Sequence, residues 1–364
     1  MPKLLFIQYR PFSSVMNGGE QGTKRNLDAL YQVCGQNNVD VYYIHKQTKS
    51  SLMDYIKGVL YLPFGYFFGL TLAKVKEIVR LSSQYDYIFI DRSIFGIIAK
   101  ALQEANYRGK TIAFFQNVET LYMDAKLQKY MPFRNVFIRC ADKNDEWSCR
   151  FSNKIIVLNE RDKQQIATLY HKEADGIIPV TLKDKCDPSA MNTGKLTSKH
   201  PACLFLGAYF LANNEGILWF LQNVYPHVNI EVKIVGRGMA KLKAEQPKLL
   251  NNIEVVSDAP DLLPYLQWAD MMVLPIFSGS GMKVKTCESL MYGKNILGTN
   301  EAFEGYRIAE GVSGWRCNTA EEYIACINDF AAHPYPKWNK NARQCYLDYY
   351  SDKAVEKIFK GLLN

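Results

Sequence analysis

The sequence predicts an α/β protein with two doubly wound, Rossmann-like domains that face a cleft. Short apolar runs alternate with helical patterns through both halves of the chain, as in parallel sheets covered by helices. A polar stretch at 181–201 separates the two series and suits an interdomain linker. Polar or glycine-rich loops follow the apolar runs, at the strand ends where such folds bind ligands.

The first series predicts a domain over residues 1–180. A loop with Gly18 and Gly19 follows the first apolar run, and the helical pattern after it starts at Thr23. A long, mostly helical region is predicted over 120–150. The predicted strands are 3–9, 39–45, 85–91, 111–115, 154–158 and 176–180.

Residues 52–80 are unusual within this domain because they combine large apolar and aromatic residues with flanking lysines. The breaks at Pro63 and Gly69 leave no uninterrupted run of the ~20 residues that a spanning helix needs. Two interpretations remain. The segment forms two core helices of the first domain, which is the commoner fate of such a stripe, or part of it lies in a bilayer interface.

The second series predicts a domain over 202–337. The final helical stretch, 338–364, is a candidate to pack back on the first domain. The predicted strands of the second series are 202–206, 228–235, 253–256, 271–276 and 295–299.

The stretch 271–305 carries the most specific pattern in the chain. A short apolar run ends at Pro275, a small-residue loop follows, and a helical pattern then begins with Lys283, Lys285 and Glu288 on its first turns. Backbone N–H groups and the helix dipole at such a junction favour an anion. A lysine adds charge and a carboxylate can accept from sugar hydroxyls, so this loop and helix suit a nucleoside diphosphate. The alternative is an ordinary strand–helix loop with solvated lysines.

Bulk composition excludes several classes of protein. The 364 residues are 48% hydrophobic and 22% charged, which are globular values. The nine cysteines are scattered and never form a C-x-x-C pair, which indicates reduced thiols in the cytoplasm. The net charge of +8 is modest and shows no cluster typical of nucleic-acid binding. It is compatible with anionic substrates or an anionic membrane surface.

Metal and cofactor chemistry is disfavoured by the motifs. None of the five histidines pairs with another ligand at metal spacing, and D-x-D, Walker A and G-x-S-x-G motifs are absent. Gly236-Arg237-Gly238 lacks the third glycine of a dinucleotide fingerprint. We therefore expect no metal and no cofactor.

These motifs resemble those of GT-B glycosyltransferases, and 202–320 is similar to the retaining, sugar-nucleotide-dependent transferases of family 4. The similar segments are FLGAYFLANNEGILWFL (205–221), KIVGRG (233–238), DLLPYLQWADMMVLPI (261–276), GSGMKVKTCESLMYGKNIL (279–297) and EAFEG (301–305). The first half is similar only in its layout.

The resemblance implies a role for each matching position. Lys285 would contact the donor diphosphate and Glu288 the ribose hydroxyls. Backbone amides of Ser280, Gly281 and Met282 would face the phosphate or the transferred sugar. The remaining donor-binding positions would be Gly18 and Gly19 over the phosphates, Gly207, Gly236 and Arg237 at the nucleotide edge, Lys283 as a further cation, and Glu304 and Gly305 near the base or ribose.

The sequence also departs from the family pattern. Ser280 stands where the first of two motif glutamates is usual, and Ala208 and Asn214 replace a common arginine and lysine. The cradle for the diphosphate therefore carries fewer charges. On the first domain, Asp91 and Glu119 are candidates to orient or deprotonate the acceptor, and a helix-capping or loop-structural role is the alternative for both.

The expected function is transfer of a sugar from a nucleoside diphosphate sugar to a glycan or polyprenyl-linked acceptor. The resemblance implies a metal-independent, retaining reaction, with surface polysaccharide biosynthesis as its setting. The expected location is the cytoplasm, with peripheral contact at the inner face of the membrane through 52–80 and no nucleic-acid partner. A nucleotide-sugar epimerase of the same fold and a non-catalytic binding module are the alternatives.

Overall fold

The computed structural model describes residues 1–13, 16, 18–45, 58–67, 69–127, 131–191, 200–279, 281–333 and 335–363. Contacts divide the chain into two compact units, 1–179 with 355–364 and 180–354. Among the described residues, each unit is built on one six-stranded sheet whose neighbouring strands are all parallel.

The sheet of the first unit has the order β2-β1-β3-β4-β5-β6. Its strands are β1 (Leu4–Gln8), β2 (Val39–Tyr43), β3 (Tyr87–Ile90), β4 (Lys110–Phe115), β5 (Lys154–Val157) and β6 (Gly176–Ile177). Its helices are α1 (Gly18–Cys34), α2 (Leu72–Ser82), α3 (Gly96–Glu104), α4 (Glu119–Lys126), α5 (Arg134–Phe151) and α6 (Glu160–Tyr170).

The sheet of the second unit has the order β12-β11-β10-β7-β8-β9. Its strands are β7 (Ala202–Leu206), β8 (Glu231–Gly236), β9 (Glu254–Ser257), β10 (Met271–Leu274), β11 (Asn295–Gly298) and β12 (Trp315–Arg316). Its helices are α7 (Leu211–Asn223), α8 (Met239–Glu245), α9 (Leu263–Trp268), α10 (Val284–Met291), α11 (Ala320–Ala332) and α12 (Lys340–Tyr349), and the last helix of the chain is α13 (Asp352–Leu362).

The central strands are apolar, apart from Gln8 at the end of β1, because both of their faces are covered. Every residue of β1, β3, β7 and β10 is buried, as expected for parallel strands between two helical layers. The predicted α/β fold with doubly wound parallel sheets is therefore confirmed.

One helix boundary differs from the prediction. Helix α1 begins at Gly18 rather than Thr23. Glu20 in this first turn accepts a hydrogen bond from Ser13, seven residues earlier, and this local contact supports the helix start in spite of the low helix propensity of glycine. The region predicted as mostly helical over 120–150 contains two helices, α4 and α5, with Pro132 just before α5.

The C-terminal stretch is shared between the units. Arg343 of α12 donates to the carbonyl of Met291 at the end of α10, so 338–354 belong to the second unit. From 355 onward the chain joins the first unit, where Phe359 lies 5.9 Å from Phe89, centroid to centroid. The described part of the predicted linker also packs on the second unit, since Asp184 pairs with Arg343.

Candidate functional site

The strand order of the second sheet defines one topological switch point, between β7 and β10. From β7 the chain moves outward to β8 and β9, and it then returns to place β10 on the other side of β7. Loops at the carboxyl ends of two such strands diverge and leave a crevice, where doubly wound folds bind ligands. The loop 207–210 and the loop 275–283 follow these two strands.

Two helices begin at this switch point. Helix α7 starts after Phe210 and helix α10 starts after Lys283, and neither N-terminus has a side-chain cap among the described residues. N–H groups at a helix N-terminus have no intrahelical acceptor and carry the positive end of the dipole. The switch point therefore presents two helix ends that favour an anion.

The loop before α10 depends on glycine. Gly279 has φ 136° and Gly281 has φ 67°, values that side-chain-bearing residues rarely adopt. Ser280 lies outside the described residues. Met282 is buried, and its sulfur accepts a contact from the Val180 amide at 3.3 Å.

Lys283 occupies the position just before α10 rather than its first turn. Its amine lies 2.6 Å from a Glu301 carboxylate oxygen and 2.7 Å from the Gly281 carbonyl. The Glu301 carboxylate offsets its charge, so Lys283 fastens the loop to the segment after β11.

Lys285, the second residue of α10, lies between an amide oxygen and an aromatic ring. Its amine donates to Asn213 Oδ1 at 2.5 Å and lies 4.7 Å from the centre of the Phe205 ring. Among the described residues, no carboxylate reaches ion-pair distance of this amine. Burial lowers the pKa of Lys285 to about 7, with Lys283 adding to the effect and Glu288 opposing it.

Glu288 lies one turn further along α10 than Lys285. Burial raises the pKa of its carboxyl, while the charges of Lys185 and Lys285 lower it. The charge of Glu288 raises the pKa of Lys285 and the charge of Lys285 lowers that of Glu288, but among the described residues the two side chains form no ion pair.

Close backbone packing brings these elements together. A Cβ atom on Gly216 of α7 would lie 1.8 Å from the Pro275 carbonyl oxygen, and one on Gly236 would lie 1.9 Å from the Gly207 carbonyl oxygen. Only glycine fits at either contact. Gly216 therefore seats α7 against the loop after β10, and Gly236 seats the end of β8 against the end of β7.

The remaining predicted positions of the second unit lie around this centre. Arg237 is exposed after β8, where its charge acts on Asp258. Gly305 has φ 79° in the turn after β11, next to the half-buried Glu304.

Gly18 and Gly19 of the first unit are the first two residues of α1, and both are exposed. The 17-residue helix α1 follows β1, which lies beside β3. The chain steps from β1 out to β2 and back to β3, so this is the switch point of the first sheet.

Asp91, directly after β3, is buried and well supplied with donors. Asn26 and Gln116 donate to its carboxylate at 2.9 Å each, and Thr23 donates as well. Burial raises the pKa of Asp91 to about 6 in spite of these donors. These contacts tie α1 to the ends of β3 and β4.

Glu119 is fully buried at the start of α4. One oxygen accepts from Arg92 at 2.7 Å, and the other has no hydrogen-bond partner among the described residues. Nearby Asp145 accepts from the Thr120 amide and hydroxyl at 2.9 Å each. Burial raises the pKa of Asp145 to about 7.

The structure thus gathers Lys285, Glu288 and Gly207 at one switch point, together with two residues that the sequence did not identify. Asn213 and Phe205 both contact the Lys285 amine. Asn213 lies in the first turn of α7, which begins at Leu211. An asparagine at the start of the helix that follows β7 was the available signal.

Among the described residues, no group of three or more His, Cys, Asp or Glu side chains is placed to hold a metal ion. Within the same part of the chain, no helix is both long and apolar enough to cross a membrane.

Solved structures share this fold. Sucrose-phosphate synthase from Thermosynechococcus elongatus superimposes with a TM-score of 0.70 at 11% identity, covering 100% of this chain and 98% of that one. HepE of Anabaena in complex with UDP gives 0.67 at 14% identity, covering 99% of both chains. A glycosyltransferase from Rickettsia africae gives 0.63 at 12%, covering 100% and 99%. No curated protein matches the sequence.

Two sheets of this topology define the GT-B class of α/β proteins, and these neighbours confirm that fold. Residues 200–333 match the model of the family described as Glycosyl transferases group 1. The second unit carries a domain of that family, and the chain is a glycosyltransferase.

Proposed function

We propose that this protein transfers a sugar from a nucleoside diphosphate sugar to a glycan or lipid-linked acceptor, with retention and without a metal ion, in surface polysaccharide biosynthesis. One observation carries the proposal. Lys285 is a half-buried lysine at a switch point flanked by two helix N-termini, and burial disfavours its charge. A bound diphosphate supplies the missing negative charge, so this arrangement favours that ligand.

The donor is held by charge and by backbone. Lys285 binds the diphosphate, while amides of Gly281 and Met282 and the start of α10 face its oxygens. Glu288 accepts from the ribose hydroxyls. The UDP and UDP-glucose complexes of HepE support a nucleotide sugar as the donor.

The chemistry follows from the charge that develops during the reaction. Cleavage of the sugar–phosphate bond leaves negative charge on the diphosphate, and Lys285 with the two helix ends stabilises it. Preorganised electrostatic stabilisation of this kind is usually the largest catalytic contribution. Lys285 supplies the positive charge that a metal ion supplies in other transferases.

Asp91 and Glu119 shape the acceptor side in this proposal. Their carboxylates are buried and engaged by Asn26, Gln116 and Arg92. They therefore fix the loops after β3 and β4, and Arg92, whose side chain is 27% exposed, pairs with Glu119 at that edge.

The first unit also has a surface suited to a lipid bilayer. Leu60 and Phe64 are about two-thirds exposed, at 66% and 67%, and Leu72 is 51% exposed. Phe64 and Leu72 line a cavity of about 440 Å³, together with residues that include Lys76 and Trp147. Exposed apolar side chains with lysines nearby favour an anionic membrane surface, so peripheral contact at the inner face of the membrane is part of the proposal.

Nucleotide binding and turnover test the proposal. We expect one class of nucleotide sugar to raise the melting temperature, because a ligand that binds only the folded state stabilises it by mass action. Lys285→Ala and Glu288→Ala should strongly reduce the shift, whereas Lys243→Ala, which removes an exposed lysine of α8, should retain it.

Turnover distinguishes the three functions. A transferase releases the nucleoside diphosphate only when an acceptor is present, an epimerase interconverts the donor sugars, and a binding module does neither. A melting temperature that no nucleotide or nucleotide sugar changes would overturn the proposed donor site.

A further inference from the structure

Asn213 connects the loop after β7 to the lysine of α10. Its Nδ2 donates to the Ala208 carbonyl at 2.8 Å, and its Oδ1 accepts from Lys285 Nζ at 2.5 Å. A carbonyl can only accept and an ammonium can only donate. The two contacts therefore fix the orientation of the Asn213 amide, with its oxygen toward Lys285.

The second wall around the Lys285 amine is aromatic. Phe205 is fully buried on β7, and the face of its ring attracts a cation. Gly207 leaves the space for this arrangement. A Cβ at 207 would lie 2.9 Å from a Phe205 ring carbon and 3.1 Å from Asn213 Nδ2, so any side chain there would displace the ring, the amide or both.

We propose that Asn213 is a positioning residue that holds the Lys285 ammonium at the β7–β10 switch point for the donor diphosphate. This inference rests on the proposed function of the same site. Of the three N–H donors of the ammonium, Asn213 engages one, and the Phe205 ring accepts none as a conventional hydrogen bond. The others are available to phosphate oxygens.

The neutrality of Asn213 is essential to this role. A carboxylate in its place would hold the amine equally well, but it would cancel the positive charge that attracts the diphosphate and would repel the phosphate oxygens. An apolar side chain would leave the long lysine side chain without a fixed direction, at a cost in side-chain entropy on binding. An amide oxygen gives direction without neutralisation.

A double-mutant cycle tests positioning through Lys285. We expect Asn213→Ala to weaken nucleotide-sugar binding about tenfold in the wild-type background, in line with loss of one hydrogen bond to a charged group. In the Lys285→Ala background the same change should alter the affinity less than about twofold. Equal losses in both backgrounds would overturn the inference, because a merely structural residue acts independently of Lys285.

A second measurement needs no nucleotide. The titration of the Lys285 amine can be followed by NMR of reductively ¹³C-methylated lysines in the full chain, with Lys285→Arg assigning the signal. Asn213→Asp should move the midpoint up by at least one pH unit, because a carboxylate stabilises the ammonium. Gln222→Glu, which adds the same charge at an exposed position of α7, should leave it unchanged.

The two measurements separate the inference from the proposed function. If wild type binds no nucleotide sugar but Asn213→Asp shifts the Lys285 midpoint, the proposed donor site is wrong. The Asn213–Lys285 hydrogen bond is then confirmed, but it has no role in diphosphate binding. A midpoint that Asn213→Asp does not move would overturn the pairing itself, whatever the protein binds.

Discussion

The low pKa of Lys285 makes donor affinity depend on pH. Burial places this pKa at about 7, below that of an ordinary lysine, and a bound diphosphate should raise it because it stabilises the ammonium. The ligand therefore binds the protonated form. Half of the protein carries that form at pH 7.0 and about 3% at pH 8.5, so the apparent Kd should rise about 16-fold, or about 1.6 kcal/mol.

Calorimetric titration over this range measures the effect. The probe is UDP-glucose, or the nucleotide sugar that gives the larger thermal shift, because its pyrophosphate diester has no ionisation between these pH values. Lys285→Arg keeps a cation that does not titrate, so its Kd should change less than about threefold. Lys283→Arg, at the lysine paired with Glu301, should behave as wild type. A wild-type Kd as insensitive to pH as that of Lys285→Arg would refute the reasoning.

Three further predictions follow from the packing and charge. Gly207→Ala should weaken nucleotide-sugar binding and also lower the melting temperature, because its Cβ meets the buried Phe205 ring and the Asn213 amide. Gly216→Ala should lower the melting temperature by about 2–6 °C through its overlap with Pro275. The buried Asp145 carboxyl has a raised pKa, so it favours the folded state only while it is protonated. Between pH 5.5 and 7.5 the free energy of unfolding should therefore fall by about 2 kcal/mol more in wild type than in Asp145→Asn. Equal changes of the two proteins in denaturant titrations would contradict this. Phe64→Asp should reduce the fraction of protein that sediments with vesicles of anionic lipid. Leu347→Asp, which places the same charge at another exposed apolar residue, should not.

Periodicity and loop chemistry predicted the fold well because both are local. Continuous apolar runs mark strands buried on both faces, and the run 271–276 contains β10 as Met271–Leu274. The pattern gave no sign of the two-residue β12, which depends on pairing with β11. The start of α1 was also missed, because its glycine-rich first turn has a low helix propensity and the supporting hydrogen bond from Ser13 to Glu20 leaves no periodic pattern in the sequence.

The site was predictable only as far as its motif extends. The loop and helix around Lys285 follow each other in sequence, so their proximity could be inferred from strand–loop–helix order alone. Asn213 is 72 positions away, and its contact depends on the strand order that puts β10 beside β7. The engagement of Lys283 by Glu301 has the same origin, because β11 must lie beside β10.

The contrast between Lys283 and Lys285 shows why charge in the motif does not by itself identify the donor-binding residue. Both lysines lie at the start of α10, but a carboxylate lies 2.6 Å from one amine and an amide oxygen 2.5 Å from the other. The first charge is already balanced, so an incoming diphosphate gains little from it. The Lys285 charge is buried beside a neutral amide, which leaves its desolvation free energy uncompensated, and a bound anion offsets that free energy. The partner of each lysine therefore decides which one binds the donor, and that partner is set by the topology of the sheet.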